Sequence, residues 1–363
     1  MKSGKNSAPD SAPGLAKLSA KPSASPSAHG SAHESSQGSA QGSAWPLTLA
    51  EAPSPYRGRF APSPSGALHF GSLVAALASY ADARAAGGEW LLRVENLDPP
   101  RELPGAADQI LHTLETFGFA WDGPVLYQSD RFAFYREISE GLKQQGLAYP
   151  CSCSRKQLAA IARHGIEGPI YPGSCRGAGL LDRPNRALRL LTEEAPILFC
   201  DRIQGLIEQS VQREFGDFVI RRADGLFAYQ LAVVVDDWQQ GINHIVRGCD
   251  LLHSTSRQIQ LQRCLGVQTP NYAHLPLALD GQGRKLSKSA ADLPLDPANP
   301  LPALRAAWRF LRQAPLPAEI ERLDEFWAWA LANWSLAHVP ALIEQLAEQL
   351  AARDSWVATD VSQ

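Results

Sequence analysis

Arg57-Gly58-Arg59-Phe60-Ala61-Pro62-Ser63-Pro64-Ser65-Gly66-Ala67-Leu68-His69-Phe70-Gly71-Ser72 is the stretch whose reading decides the fold. Arg57 to Ala61 reads as a strand, the Pro/Ser/Gly segment after it as a loop, and Gly71 to Ala86 as a helix leading to a second strand, Glu89 to Glu95. Strand, helix and strand at this spacing make a βαβ unit, so the class is α/β with a parallel sheet. The small loop residues let backbone and side chains approach a triphosphate at a helix N-terminus. His69 and Ser72 are three apart at the helix start, so they share a face and reach the same phosphate group. Taken alone, such a loop is ordinary capping and turn chemistry.

A second segment far along the chain changes that balance. Lys285-Leu286-Ser287-Lys288-Ser289 follows Gly281-Gln282-Gly283-Arg284 and places two ammonium groups on a loop able to close over a nucleotide. A lone Lys-x-x-Lys is a solvated surface; both segments in this order, flanking an α/β core, describe nucleotide chemistry. Activating a carboxylic acid with ATP needs no protein nucleophile. It needs the acid in line with the α-phosphorus and the charge on departing pyrophosphate neutralised. His69, Gly71, Ser72, Lys285 and Lys288 are therefore the candidate catalytic set, with His69, Ser72 and Lys288 at the ATP.

Composition sets the frame around these motifs. With 363 residues, 45% of them hydrophobic, the chain has material for a substantial core. No run of about 18 apolar residues and no secretory apolar stretch is present, so neither membrane insertion nor export is expected and the cytoplasm is the default compartment. Six cysteines in a chain of this length do not make a disulfide scaffold. A net charge of -3 excludes any argument for nucleic acid from bulk charge; phosphate contacts must come from a local patch. Residues 1–52 are dominated by Ser, Ala, Gly and Pro and read as a disordered tail, without the arginines of an organellar leader.

The remaining chain divides into a first half of the catalytic domain (53–148), a Cys/Gly/Pro-rich insertion (149–200), a second half carrying the lysine loop (201–290) and a helical C-terminal region (291–363). Helices are expected around Ala106 to Phe117, Phe132 to Gln145 and Leu252 to Leu265. Leu231 to Val235 reads as a strand buried on both faces, with Asp236 and Asp237 at its end as capping or ribose-side groups. Beyond Ser289, leucine spacing at Leu301, Leu304, Trp308 and Leu311, and again at Leu342, Leu346 and Leu350, reads as helix. Within the insertion, Cys151-x-Cys153 in extended chain points two thiols the same way and Cys175 supplies a third, a soft donor set that suits one structural zinc ion. His164 is the conventional fourth ligand. Cys200, Cys249 and Cys264 read as core residues.

Gly58 to Gly66 closely resembles the start of the glutamyl and glutaminyl group of class I aminoacyl-tRNA synthetases. The resemblance extends through Arg93-Val94-Glu95-Asn96-Leu97-Asp98-Pro99-Pro100-Arg101 and Ile245-Val246-Arg247-Gly248-Cys249-Asp250 to the lysine loop. Asn96 and the long tail depart from the group's pattern; Glu95 and Asp98 keep to it. The resemblance implies a Rossmann-like parallel sheet with a zinc-binding insertion, and ATP with Mg²⁺ and L-glutamate as substrates. It also implies glutamate contacts from Arg59, Phe60, Ala61, Pro62, Ser63, Glu95, Tyr229 and Arg247. Physical chemistry agrees: two carboxylates call for guanidinium groups and the ammonium for a carboxylate, needs that Arg59, Arg247 and Glu95 fit. The ordinary alternative for Arg247 and Glu95 is a structural ion pair. The resemblance also puts Tyr171 at the fourth metal position, against His164.

A full member of that group carries a large anticodon-reading module, which the 74 residues after Ser289 are too few to form. The chain resembles instead truncated, monomeric paralogues that activate glutamate without tRNA and transfer it to the queuosine base in the anticodon loop of tRNA(Asp). Arg221, Arg222, Arg305, Arg309 and Arg312 are candidate phosphate contacts, the last three fitting a solvated helix face equally well. Competing readings are a minimal synthetase charging a tRNA 3' end, a non-catalytic paralogue binding an amino acid or adenylate, and a zinc-dependent RNA-binding module.

Overall fold

Arg57–Phe60 (β1) and Glu89–Val94 (β2) pair in parallel, Arg57 against Glu89 and Phe60 against Leu92, with Phe70–Ala85 (α1) as the crossover between them. The computed structural model describes residues 55–280, 283–286 and 294–346. The tail read at 1–52, Lys288 and Leu350 lie outside the described residues. The chain continues through Ala106–Thr116 (α2) to Leu126–Tyr127 (β3), which adds a third parallel strand beside β2. Phe132–Gln144 (α3), Ala148–Cys151 (β4), Arg155–Ile161 (α4), His164–Gly165 (β5), Gly168–Pro169 (β6) and Ala187–Leu190 (β7) follow. Next come Ile197–Asp201 (β8), Gly205–Gln209 (β9), Val211–Glu214 (α5), Val219–Arg221 (β10) and Tyr229–Gln239 (α6). His244–Gly248 (β11), Leu252–Leu265 (α7), Asn271–Leu275 (β12) and Leu277–Leu279 (β13) close the α/β part, and Pro300–Phe310 (α8), Leu323–Asn333 (α9) and Glu344–Leu346 (β14) complete the described chain.

β11 and β12 run parallel, and β12 pairs with β8, which forms a hairpin with β9. Asn243, just before β11, donates its N–H to the Arg57 carbonyl at 3.1 Å and accepts from the Arg57 N–H through Oδ1 at 2.8 Å. Those bonds set β1 beside β11, bringing the parallel strands β3-β2-β1 and the parallel pair β11-β12 edge to edge. Between β1 and β11 the winding reverses, and open parallel sheets bind ligands at the carboxyl ends of the strands flanking such a reversal. A separate antiparallel sheet, β10-β7-β4, carries the cysteine segment.

Two expectations are overturned here. Leu231 to Val235 is not a strand but the body of α6, and each of its five side chains is no more than 2% exposed. A helix covered on every side has no polar face, so its apolar run carries no period to separate it from a buried strand. Leu342 and Leu346 are not on a helix either: β14 pairs in parallel with β13, leaving both leucines largely exposed. Pairing with the open edge of β13 prevailed over the local leucine spacing.

The C-terminal helices belong to the same core as the βαβ unit. Trp308 on α8, fully buried, packs with Phe70, Leu73 and Leu77 of α1 in one apolar cluster, and its ring N–H donates to Ala314 O at 2.7 Å. Among the described residues no helix is long and apolar enough to cross a membrane. Trp308→Ala removes a large side chain from this packing; urea unfolding should show a loss of about 3–5 kcal/mol, and a loss under about 1 kcal/mol would contradict the packing described.

Candidate active site

The carboxyl ends of β1 and β11 open into a cavity of about 1100 Å³. From β1 and the turn after it come Arg59, Phe60, Ala61, Pro62 and Ser63. His69, Gly71 and Ser72 enter from the start of α1, and Glu95 from the residue after β2. Tyr229, the first residue of α6, Arg247 near the end of β11, and Lys285 complete the set. Every sequence-predicted substrate or catalytic residue that is described thus lines one space; Lys288 lies outside the described residues.

His69 is the N-cap of α1, with an extended backbone, φ -116° and ψ 175°. Its Nδ1 accepts from the Ser72 N–H at 3.3 Å, while Nε2 stands 3.1 Å from the Ser72 hydroxyl. Accepting at Nδ1 puts the proton of a neutral ring on Nε2, facing that hydroxyl. The 16-residue helix points its positive end into the cavity. Lys285 Nζ is held at 2.7 Å by Asp250 Oδ2 at the cavity wall.

Opposite this cationic side lies a buried charge network. One oxygen of Asp237 accepts from Arg59 Nε at 3.2 Å and from Arg93 Nη2 at 2.7 Å. Burial would raise Asp237, but the two guanidinium groups outweigh it and keep its pKa lowered. Asp236 accepts from Arg131 Nε at 2.5 Å, Gln128 Nε2 at 2.8 Å and the Tyr135 hydroxyl at 2.7 Å. The two aspartates are therefore anchors on α6 for arginines, and the capping or ribose-side role expected of them has no place in this geometry. Glu95 lies 3.5 Å from Arg93, and burial raises its pKa against the opposing pull of Arg93 and Arg59.

Arg247 is fixed from behind. Its Nε donates to His274 Nε2 at 3.0 Å and its Nη2 to the Thr255 hydroxyl at 2.8 Å. His274 Nδ1 in turn donates to Asp201 Oδ2 at 2.6 Å, and burial together with neighbouring Arg247 pushes its pKa down to about 4, against the pull of Asp201. A neutral imidazole is thereby kept as an acceptor for a guanidinium. Arg247 Nη1 and Glu95 Oε1 are both buried without a hydrogen-bond partner. Arg247 and Glu95 both line the cavity, and a guanidinium and a carboxylate in one space match a small zwitterion bearing a carboxylate and an ammonium.

The thiols of Cys151, Cys153 and Cys175 lie within 4.8 Å of one another. Cys153 Sγ is 3.5 Å from Cys175 Sγ, and Tyr171 Oη is 3.5 Å from Cys151 Sγ and 3.9 Å from Cys153 Sγ. This donor set can hold a soft metal ion. Burial works against a Cys175 thiolate, but the Ser152 backbone N–H, the Tyr171 hydroxyl and Cys153 bring its pKa down to about 6. His164 is exposed and is not among the clustered donors. Gly216, at φ +71°, lies so close to Tyr171 that a Cβ would stand 2.2 Å from the Tyr171 carbonyl; only glycine permits this approach.

Other expectations fall differently. Cys249 is buried and Cys264 half-buried, but Cys200 is exposed on the hairpin strand β8, where alternate side chains face outward. Arg221 is paired with Glu140 and Asp182, Arg222 with Asp98 and Asp224, and Arg305 donates to Ile320 O. Sequence reasoning missed Arg93, Asp250 and the Asp201, His274 and Thr255 group behind Arg247. His274 had one visible signal, a polar residue inside the apolar run Tyr272-Ala273-His274-Leu275.

A family profile described as tRNA synthetases class I (E and Q), catalytic domain, matches residues 56–296. A relative from Dechloromonas aromatica named glutamyl-Q tRNA(Asp) synthetase is 56% identical over 291 residues, 79% of this chain and 96% of that one. One of the same name from Chromobacterium violaceum is 54% identical over 286 residues, again 79% and 96%. Among solved structures, glutamate-tRNA synthetase from Elizabethkingia anophelis aligns with a TM-score of 0.65 at 26% identity, over 79% of this chain and 67% of that one. A glutamate tRNA ligase from Elizabethkingia meningosepticum, in complex with its amino acid, shares the fold with the same TM-score at 24% identity; this chain spans 66% of its length.

The neutral His274 has a consequence for stability. Below its ordinary value of 6.5 the unfolded chain binds a proton that the folded chain refuses until about 4, so stability falls as pH drops across that window. The contribution of this one group approaches about 1.4 kcal/mol per pH unit. Urea unfolding between about pH 7 and about pH 5 should show the decline in the native chain and a shallower one in His274→Asn. Equal slopes in the two proteins would contradict a neutral buried imidazole.

Proposed function

The chain belongs to the class I tRNA synthetases for glutamate and glutamine, and we propose that it activates L-glutamate with ATP and transfers it to the queuosine base in the anticodon loop of tRNA(Asp). The observation that carries activation is that a nearly buried arginine, Arg247, and a nearly buried carboxylate, Glu95, line one cavity together with the N-terminus of α1. The acceptor rests on the name shared by the relatives at 54–56% identity.

In this reading Arg247 and Arg59 bind the carboxylates of glutamate, Glu95 receives its ammonium, and Tyr229 adds a hydroxyl. Phe60, Ala61, Pro62 and Ser63 shape the floor on which the substrate lies. An α-carboxylate oxygen attacks the α-phosphorus of ATP; the bond to the bridging oxygen breaks and pyrophosphate departs with the electron pair. His69, the Ser72 hydroxyl, the open start of α1 where Gly71 leaves room, and Lys285 with Lys288 neutralise that departing charge. Mg²⁺ bound with ATP would supply further charge neutralisation at the phosphates. A hydroxyl of the queuosine cyclopentene diol then attacks the acyl carbon; the ester forms and AMP leaves. Arg59 and Arg247 act by positioning, so their loss should appear chiefly in the KM for glutamate.

The thiol cluster, part of the insertion we assign to residues 149–200, suits a structural zinc ion. Zn–S bonds of about 2.3 Å in a tetrahedron set sulfurs roughly 3.8 Å apart, close to the 3.5 Å between Cys153 and Cys175. Cys151, Cys153 and Cys175 would hold the ion, with the Tyr171 hydroxyl as the oxygen donor within reach. Its role would be to tie a loop with little regular structure to β4.

Two experiments test these assignments. Labelled glutamate and ATP are supplied with tRNA(Asp) carrying queuosine or unmodified guanosine at the wobble position. Incorporation should occur with the first alone; equal incorporation into both would instead indicate charging of the 3' end. Zinc analysis of the purified protein should give one ion per chain. Cys175→Ser should release it and lower the thermal midpoint by several degrees, on the order of 5 °C; a metal-free native protein, indifferent to chelator, would end the zinc reading.

A further inference from the structure

We propose that a second cleft, outside the catalytic cavity, binds the sugar-phosphate backbone of the RNA substrate. The cleft has a volume of about 340 Å³ and is lined by Arg136, Arg183, Arg186, Arg221 and Arg222, with Asp182 in its wall. The proposal deepens the reading of the enzyme as acting on tRNA, and rests on it for the identity of the polyanion.

The charges in the cleft are unevenly satisfied. Asp182 is already committed: it accepts from Arg221 Nη2 at 2.7 and 2.9 Å and from Lys143 Nζ at 2.8 Å. Glu140 also holds Arg221, at 3.0 Å. Arg222 reaches Asp98 at 3.1 Å and Asp224 at 2.6 Å. Arg136, Arg183 and Arg186 have no carboxylate partner among the described residues; Arg186 spends one N–H on the Leu181 carbonyl. Arg136 and Arg183 are exposed and Arg186 half-exposed, so all three guanidinium groups are accessible to a ligand. Fixed arginines at the base with free arginines at the rim form a site for a phosphodiester, whose oxygens accept from forked N–H donors.

A single carboxylate joins this cleft to the catalytic cavity. Asp98 Oδ1 accepts from Arg222 in the cleft, and its Oδ2 accepts at 2.6 Å from Arg101 Nε. Arg101 itself lines the catalytic cavity. A strand whose reactive base entered the cavity past Arg101 would carry its neighbouring phosphates across Asp98 and onto the free arginines. The near-neutral chain thus acquires a local basic surface where the base must be presented, and RNA loops are recognised by such backbone contacts together with unstacked bases.

The test uses the full chain and a triple variant, Arg136→Ala/Arg183→Ala/Arg186→Ala, with circular dichroism and thermal melting to establish that it folds. Glutamate-dependent ATP/pyrophosphate exchange in the absence of RNA should be unchanged. Binding of a fluorescent anticodon stem-loop RNA should weaken by about tenfold or more, and the dependence of log affinity on log salt should become shallower, by roughly one unit for each phosphate the variant no longer neutralises. In the transfer reaction the KM for tRNA should rise with kcat nearly unchanged. Should the variant bind the stem-loop with native affinity and native salt slope, the cleft is not an RNA site. Should the native protein bind queuosine-containing tRNA(Asp) through these arginines yet transfer no glutamate to it, the acceptor assignment fails while the cleft stands. A variant that does not fold is replaced by Arg183→Glu alone, for which the same loss of affinity is required.

Discussion

Asp237 shares one carboxylate oxygen between Arg59 of β1 and Arg93 of β2, and the arrangement of the cavity follows from that contact. Arg59 and Asp237 are each under 5% exposed and Arg93 is fully buried, so the cost of desolvating three charges is offset by their mutual pairing, with Glu95 and Gln240 also beside Arg93. Removing Asp237 would leave two buried guanidinium groups without the carboxylate they share. The contact therefore fixes α6 against two adjacent parallel strands. It also sets the height of Arg59 and, through Arg93, that of Glu95 at the cavity wall.

The same logic governs the other wall, with an uncharged intermediary. Arg247 is oriented by an imidazole whose remaining nitrogen is bound to Asp201. Because His274 stays neutral, the positive charge of Arg247 at the cavity wall is not matched by a second cation behind it. Two buried frameworks, one ionic and one built through histidine, thus present a cation and an anion across a single cavity. Groups held this way need little reorganisation when charge develops, which is the usual source of electrostatic catalysis.

In the proposed function phosphate is met by different means on the open side. The start of α1 offers backbone N–H groups and a dipole, Lys285 is steadied by Asp250, and beyond Asp98 the arginine cleft continues the basic surface. Asp98 stands between the two cavities, so its single charge helps arrange Arg101 on one side and Arg222 on the other. Burial separates the two proposed modes: the glutamate site is enclosed and held by buried pairs, whereas the arginine cleft is exposed and its binding would be subject to salt.

The βαβ unit, its anion-directed helix start and the three-thiol cluster were legible in the residues because each is local, marked by periodicity, glycine and proline, or short spacing. Leu231 to Val235 was misread because a run buried on all sides has no pattern to expose its helical period, and the strand at Glu344–Leu346 depends on an edge supplied by a distant segment. Sequence alone determined which chemical groups this chain carries and the order in which its central elements come. Only the tertiary structure decided that Asp237 rather than solvent meets Arg59, that His274 stands behind Arg247, and that five arginines from separate segments surround one cleft. Such pairings join residues far apart along the chain, and their strength comes from burial, which exists only once the sheet and helices have closed over them.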